Sequence, residues 1–264
     1  MGALNVSPES FYGGSVHVGD DDLLGAALAM VEAGARLVDV GARSTAPYLE
    51  TAISEELEGE RLACAVSLLA GKLPVPVSAD TARPGPARAA LEAGARVLND
   101  VTGLADAAVA RLAAEHGVSV ILMASPGTPG RHPSGDPIAT VRRALEAALQ
   151  RARAARIPDE RVVLDPGLGF FRDEPVPWDA WDACVLARLG ELRALGRPLA
   201  VGISRKSFVG ALTGRRQPAE RLPGSLAATA VAVWQGAALV RAHDVAETVD
   251  AVRVAERLRE ARGA

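Results

Sequence analysis

At 264 residues, with 49% hydrophobic side chains, 26 glycines and only 3% aromatics, the chain can bury a large core of mainly Ala, Val and Leu, and a single domain over 1–264 is expected. Its 29 basic against 32 acidic residues leave a net charge of −3 and no broad basic field, which argues against a nucleic-acid partner. The N-terminus has no basic leader and no apolar run reaches bilayer length, so a cytoplasmic protein without membrane contact is expected.

Along the chain, short β-branched or leucine-rich runs alternate with alanine-rich segments of helical spacing. "ALNV" (3–6) is the first strand candidate, followed by a helix near 20–33. "RLVDVG" (36–41) leads to a helix near 54–70, "VPVSAD" (75–80) to one near 84–93, and "RVLND" (96–100) to one near 105–115. After "VSVILM" (118–123), the Pro/Gly-rich "SPGTPGRHPSGDP" (125–137) reads as a long loop before a helix near 136–156. "RVVLD" (161–165), "PLAVGI" (198–203) and "ALVRAH" (238–243) precede helices near 178–195, 218–235 and 244–261. Eight strand–helix units fit a closed (β/α)8 TIM barrel, with an open doubly wound sheet as the alternative. The echo of "EAGARLVDV" (32–40) in "EAGARVLND" (92–100) is what a repeated helix–turn–strand joint produces.

In such a barrel the chemistry gathers where the strands end, and polar residues collect there. Asn5 ends the first strand; Asp39 and Ser44–Thr45 surround the end of the second; Asp80 and Thr81 end the third, Asn99 and Asp100 the fourth, and Asp165 the sixth. Lys206 follows the seventh, and Arg241, His243 and Asp244 close the eighth. Some have simple explanations: Asp244 as the N-cap of the last helix, Asp100 as a turn residue. The set divides by charge. Asp80, Asn99 and Asp165 offer acceptors for a flat heterocycle rich in N–H groups. Lys206, Arg241 and His243 offer donors to a phosphate-like group. In "GISRKSFVG" (202–210), a helix starting near Ser204 would add free backbone N–H groups and a positive dipole end facing an anion. In "DPGLGFF" (165–171) the glycines let the backbone approach a ligand, and Phe170 can wall a planar ring.

Other residues carry no chemistry in this reading. Cys64 and Cys184 have no metal or disulfide spacing and are expected to be inert core residues. His17, His116 and His132 lack a Cys/His partner at ligand spacing. Trp178 and Trp181 lie about one turn apart on a helix and read as packing residues.

Seven segments, in order, are similar to the dihydropteroate synthase family: "MGALNVSPESF", "GARSTAP", "VSADTARPGPARAALEAGARVLNDVTG", "LDPGLGF", "GISRKSFVG", "ERLPGSLAA" and "VRAHDV". The resemblance implies a (β/α)8 barrel, usually dimeric, that joins 6-hydroxymethyl-7,8-dihydropterin diphosphate to 4-aminobenzoate and releases diphosphate. It implies that Asn5 helps hold Mg²⁺ and the diphosphate, and that Asp80, Asn99, Asp165 and Lys206 contact the pterin. It places Arg241 and His243 at the diphosphate as cations, and Thr45, Pro47, Phe170 and Ser204 around the aminobenzoate. Asp80, Lys206, Arg241 and His243 would then be the catalytic set, with no protein nucleophile.

The chain departs from the family pattern in the second loop. The family reads like "GGESTRPG" there and this chain reads "GARSTAPY", with Ala46 in place of the arginine and Arg43 in place of a glutamate. Either Arg43 supplies the missing cation or it is a solvated loop residue. Ala124 stands where the family has a histidine, and Ala79 where it has a valine. The altered loop keeps two alternatives open, a pterin-dependent methyltransferase and a non-catalytic pterin-binding paralogue. The "SRKS" and "RAHD" segments weigh against the methyltransferase, which needs no diphosphate site.

Overall fold

The computed structural model describes residues 1–7, 19–43, 53–126, 135–172 and 174–263. Its strands are β1 (Gly2–Asn5), β2 (Val38–Gly41), β3 (Val77–Asp80), β4 (Val97–Asp100), β5 (Ser119–Met123), β6 (Val162–Asp165), β7 (Leu199–Gly202) and β8 (Ala237–Arg241). They pair in parallel and in sequence order from β1 to β8. A parallel bridge from Gly2 to Ala242, with Ala3 N–H donating to the Ala242 carbonyl at 2.9 Å, closes the barrel. This is the (β/α)8 architecture, not the open sheet.

Helices α1 (Asp20–Glu32), α2 (Glu55–Ala70), α3 (Pro84–Glu92), α4 (Ala107–His116) and α5 (Pro137–Ala154) follow the first five strands. Helices α6 (Trp178–Ala187), α7 (Ser207–Thr213), α8 (Leu222–Trp234) and α9 (Val245–Gly263) follow the last three. Local chemistry sets several starts: Ser54 accepts from Leu57 N–H, Asp106 from Ala108 N–H and Asp136 from Ile138 N–H, each capping a helix. Gly117, at φ 62°, ends α4 in the left-handed conformation.

Three expectations about elements need correction. The helix expected over 178–195 stops at Ala187 and continues as a 3-10 segment, Leu189–Leu195, ending at Gly196 with φ 70°. The segment 218–235 opens as a 3-10 turn before α8. The helix expected to begin near Ser204 is the separate short α7, beginning at Ser207, because Arg205 holds φ 56°, which an α-helix cannot accommodate.

Leu, Val and Ala from both the strands and the surrounding helices form the main core between sheet and helix layer. A smaller cluster of Leu37, Ile121 and Ala200, with Val97, Val163 and Leu239 against it, fills the barrel interior. Residues two apart on a strand share a face. Leu37 therefore shares its inward direction with Asp39, Val97 with Asn99, Val163 with Asp165, and Leu239 with Arg241, so a polar layer lies directly on an apolar plug. Trp181 is fully buried and stacks on Phe171 with centroids 5.2 Å apart, a packing residue as expected. Cys64 is exposed and Cys184 half-buried, so neither is the core residue expected; both lie on helices, where an apolar neighbourhood in sequence does not settle which side faces inward. Among the described residues no helix is long and apolar enough to cross a membrane.

Candidate functional site

The strand register aligns the polar ends. Asn5 pairs with Gly41, Gly41 with Asp80, and Asp80 with Asn99, so four consecutive strands finish at one level. A Cβ on Gly41 would lie 3.3 Å from Asn5 Oδ1 and 3.8 Å from Asp80 Oδ2. The glycine thus keeps the space between those oxygens open.

Across this mouth reaches Arg241 from β8. Its Nε donates to Asp39 Oδ2 at 2.6 Å and its Nη2 to Asp80 Oδ2 at 3.1 Å. Asn99 Nδ2 donates to the same Asp39 oxygen at 3.2 Å. Burial works against the charge of Arg241, but Asp39 and Asp80 outweigh it and raise its pKa further above the neutral range. Burial pushes the Asp80 carboxyl up to about 7, with Arg241 opposing and Asp39 adding to the rise. Asp80 Oδ1 is buried with no hydrogen-bond partner among the described residues. Such an oxygen suits a ligand N–H, since a buried acceptor left unpaired is costly.

The second half of the mouth is built by β6 and the β7–α7 turn. Asp165 Oδ1 accepts Gly167 N–H at 2.7 Å, fixing the turn that carries Leu168 to Phe171. A side chain on Gly167, at φ 73°, would run into the Ala124 carbonyl oxygen, so this turn needs a glycine. Burial raises the Asp165 pKa, against Lys206, Gly167 N–H and Arg241. Lys206 Nζ donates to the Leu168 carbonyl and lies 5.0 Å above the Phe170 ring centroid. Burial lowers the pKa of Lys206 while Asp165 and Asp182 work to keep it charged. Because Arg241 bears on both Asp80 and Asp165, the acceptors and the cations form one connected cluster.

The arginine of "SRKS" turns away from this cluster. Arg205 forks onto Asp244 (Nε to Oδ2 2.8 Å, Nη2 to Oδ1 2.7 Å), and its Nη1 donates to the Pro218 and Ala219 carbonyls at 2.9 and 2.8 Å. Asp244 does stand at the start of α9, where its carbonyl accepts Thr248 N–H, but its carboxylate serves Arg205. Ser204 is no helix cap: its Oγ accepts His243 N–H at 3.3 Å and meets His243 Nδ1 at 3.0 Å. The expectation that His243 acts as a cation is corrected. Burial, reinforced by the neighbouring Arg241, pushes its imidazole down to about 3, so it is neutral at physiological pH. Asp100 accepts from Thr102 N–H, Thr102 Oγ1 and Leu104 N–H, and is the turn residue expected.

Arg43, just beyond β2, is neither free nor simply solvated. Its Nε lies 3.3 Å from Oε2 of Glu58, a carboxylate of α2 that is only 1% exposed. Arg83 Nη1 shares that oxygen at 3.2 Å, and Thr81 Oγ1 donates to Glu58 Oε1 at 2.6 Å. The positive charge of Arg43 favours the ionised form of Asp80. Thr45, Pro47 and Ala46, with His17 and His132, lie outside the described residues.

Two residues of this arrangement, Glu58 and Asp182, are not among the sequence candidates for the site. Asp39 is visible as a polar residue two positions before Gly41, but its hold on Arg241 is not. Glu58 lies in the charge-rich "SEELEGER" and Asp182 in "WDAWDA", beside the two tryptophans read as packing residues, and no motif spacing singles out either carboxylate. Among the described residues no group of three His, Cys, Asp or Glu side chains could hold a metal alone. The amide oxygen of Asn5, 3.3 Å from where a Cβ on Gly41 would stand, is a hard donor of the kind a divalent cation takes, while Asp80 Oδ2 across that space is engaged by Arg241.

Residues 1–243 match the family model described as pterin binding enzyme. The chain is 39% identical over 261 residues to the dihydropteroate synthase of Escherichia coli (strain K12), covering 97% of this chain and 90% of that protein. It superimposes with a TM-score of 0.88 on the Xanthomonas albilineans dihydropteroate synthase solved with 4-aminobenzoic acid, at 38% identity over 98% of this chain and 92% of the other. With the Yersinia pestis dihydropteroate synthase solved with a sulfonamide drug, the TM-score is 0.89 at 37% identity, over 99% and 93% of the two chains.

Proposed function

Since the chain belongs to the family of pterin-binding enzymes, we propose that it acts as a dihydropteroate synthase, a transferase joining 6-hydroxymethyl-7,8-dihydropterin diphosphate to 4-aminobenzoate. The observation that carries this reading is the single cluster in which Asp80, Asn99 and Asp165 face a common mouth with Arg241 and Lys206. Acceptors for a nitrogen heterocycle stand there beside positive charge for its leaving group.

Asp80, Asn99, Asp165 and Lys206 hold the pterin, and Phe170 covers its edge toward the aminobenzoate, whose site Ser204, Thr45 and Pro47 help to shape. The C–O bond of the pterin methylene breaks with its electron pair leaving on diphosphate. The amine lone pair forms the C–N bond, and the amine gives up a proton. Arg241, fixed by two carboxylates, stabilises charge developing on the diphosphate without having to reorganise. Neutral His243 donates a hydrogen bond there and does not add a charge. Asp80, ionised when it accepts from the ring, stabilises the positive charge on the methylene and ring. Arg43 supplies a further cation at the edge of this site. When bound, Mg²⁺ supplies charge neutralisation of the diphosphate, with Asn5 among its protein oxygens.

We place the enzyme in the cytoplasm, as a homodimer formed through the α8–α9 side, where Val231, Trp234, Val254 and Leu258 are exposed. Equilibrium sedimentation checks this, and a monomer at micromolar concentration refutes it. The reaction is tested by mixing protein, pterin diphosphate, 4-aminobenzoate and Mg²⁺ and measuring diphosphate. Release that depends on aminobenzoate is expected. Tight pterin binding without release would instead identify a binding paralogue.

A further inference from the structure

Asp182 lies on α6 behind the turn that follows β6, and it is 1% exposed. Its Oδ1 accepts Gly169 N–H at 2.8 Å, while Oδ2 is buried with no hydrogen-bond partner among the described residues. The charged groups facing it are Lys206 from the β7–α7 turn, Arg172 from the loop after β6, and Asp179 from its own helix. The peptide it holds is the one against which Lys206 lies: a Cβ on Gly169, at φ 85°, would be 3.2 Å from Lys206 Cδ. The same segment is tied down on its other side, where the Leu168 carbonyl accepts Lys206 Nζ and the Gly169 carbonyl accepts Arg172 Nε at 3.0 Å. A neutral amide would suffice to accept one N–H. A carboxylate with one oxygen unbonded costs more to bury and is explained only if its charge is used.

We infer that Asp182 is a positioning residue acting through Lys206: it pins the Gly169 peptide and supplies, from behind the 165–169 turn, a second negative charge that holds the Lys206 ammonium beside Asp165. Burial pushes the Asp182 carboxyl up to about 6, with Gly169 N–H and Lys206 opposing. The charge is therefore present at neutral pH and is lost as pH falls below that value. The kinetic part of this inference rests on the reaction proposed above; its electrostatic part does not.

The chain has only two lysines, Lys72 and Lys206. Carbon-13 labelling at lysine Cε therefore gives two resonances, and Lys72→Arg assigns them. The Lys206 resonance should show an inflection near pH 6 in the parent protein. Asp182→Asn, which keeps an acceptor for Gly169, should abolish that inflection and shift the Lys206 midpoint downward. It should also raise KM for pterin diphosphate about three- to tenfold with a smaller effect on kcat. A Lys206 titration identical in the parent and Asp182→Asn would overturn the inference. If Asp182→Asn does not fold, the parent curve decides, and absence of the inflection overturns the inference. Parent protein that titrates as described but releases no diphosphate would refute the reaction and leave the assignment of Asp182 standing.

Discussion

Asp39 and Arg241, 202 residues apart in sequence, meet at 2.6 Å in the barrel mouth, and the carboxylate is wholly buried beneath the guanidinium. Arg241 is thereby aimed before any substrate arrives. Because the pair is buried, removing one partner leaves an uncompensated charge. Asp39→Ala should lose about 3–5 kcal/mol of stability in urea titrations. Asp39→Asn, which keeps the volume, should lose less stability but still cut kcat/KM about tenfold, because the charge-assisted bond to Arg241 Nε is lost and, among the described residues, Asp80 is the one carboxylate still holding the guanidinium.

The raised pKa of Asp80 carries a stability signature. Its folded value, about 7, exceeds the ordinary 3.8, so between those values the folded state holds a proton that the unfolded chain has released. The contribution is full below about pH 4 and is lost as pH rises through about 7. His243, depressed from 6.5 to about 3, acts oppositely: its contribution is full above about pH 6.5 and is lost as pH falls toward 3. Asp80→Asn removes the first dependence only. Its stability relative to the parent should therefore rise steadily from pH 4 to pH 7 in denaturant titrations, and a constant difference would contradict the buried, protonated Asp80.

Activity should report the same group. Asp80 must be ionised to accept from the ring, so kcat/KM for pterin diphosphate should rise through a midpoint near 7, the value in the free enzyme. A midpoint near the ordinary carboxylate value would place Asp80 in water.

The two glycines of the turn after β6 should respond differently. Gly167→Ala would drive a Cβ against the Ala124 carbonyl, which is backbone and cannot yield, and should cost about 3 kcal/mol. Gly169→Ala meets the flexible stem of Lys206, so its stability cost should be nearer 1 kcal/mol, mostly from its positive φ. Its effect should appear instead as a higher KM for the pterin substrate. Thermal melts and steady-state kinetics on the two variants separate these effects.

Arg43→Ala leaves Glu58 still engaged by Arg83 and Thr81. Stability should change by less than about 1 kcal/mol, whereas turnover should fall about tenfold because a cation is removed from the site edge. Unchanged turnover would return Arg43 to the rank of a structural loop residue.

Much of this molecule is readable from its chain because its elements are set by local rules. The short β-branched or leucine-rich runs ending at Asn5, Asp80, Asn99 and Asp165 determine strands, and alternation with alanine-rich helices determines a barrel with those residues on one rim. The "SRKS" turn is less legible: Arg205 and Lys206 are adjacent cations, and only the φ of 56° at Arg205 sends one to Asp244 and the other into the mouth. Charge states are less legible still. His243 reads as a cation in sequence and is neutral in place, since a pKa depends on burial and on charges contributed by distant strands.

The amino-acid order alone thus determined the strands, the rim and the kinds of group on it, all of which depend on neighbours a few residues away. Closure of the barrel decided the rest: Asp39 beneath Arg241, Glu58 behind Arg43, and Asp182 behind Lys206. Those pairings act through space over a few ångströms, and β8 comes back beside β1 only when the ring is complete.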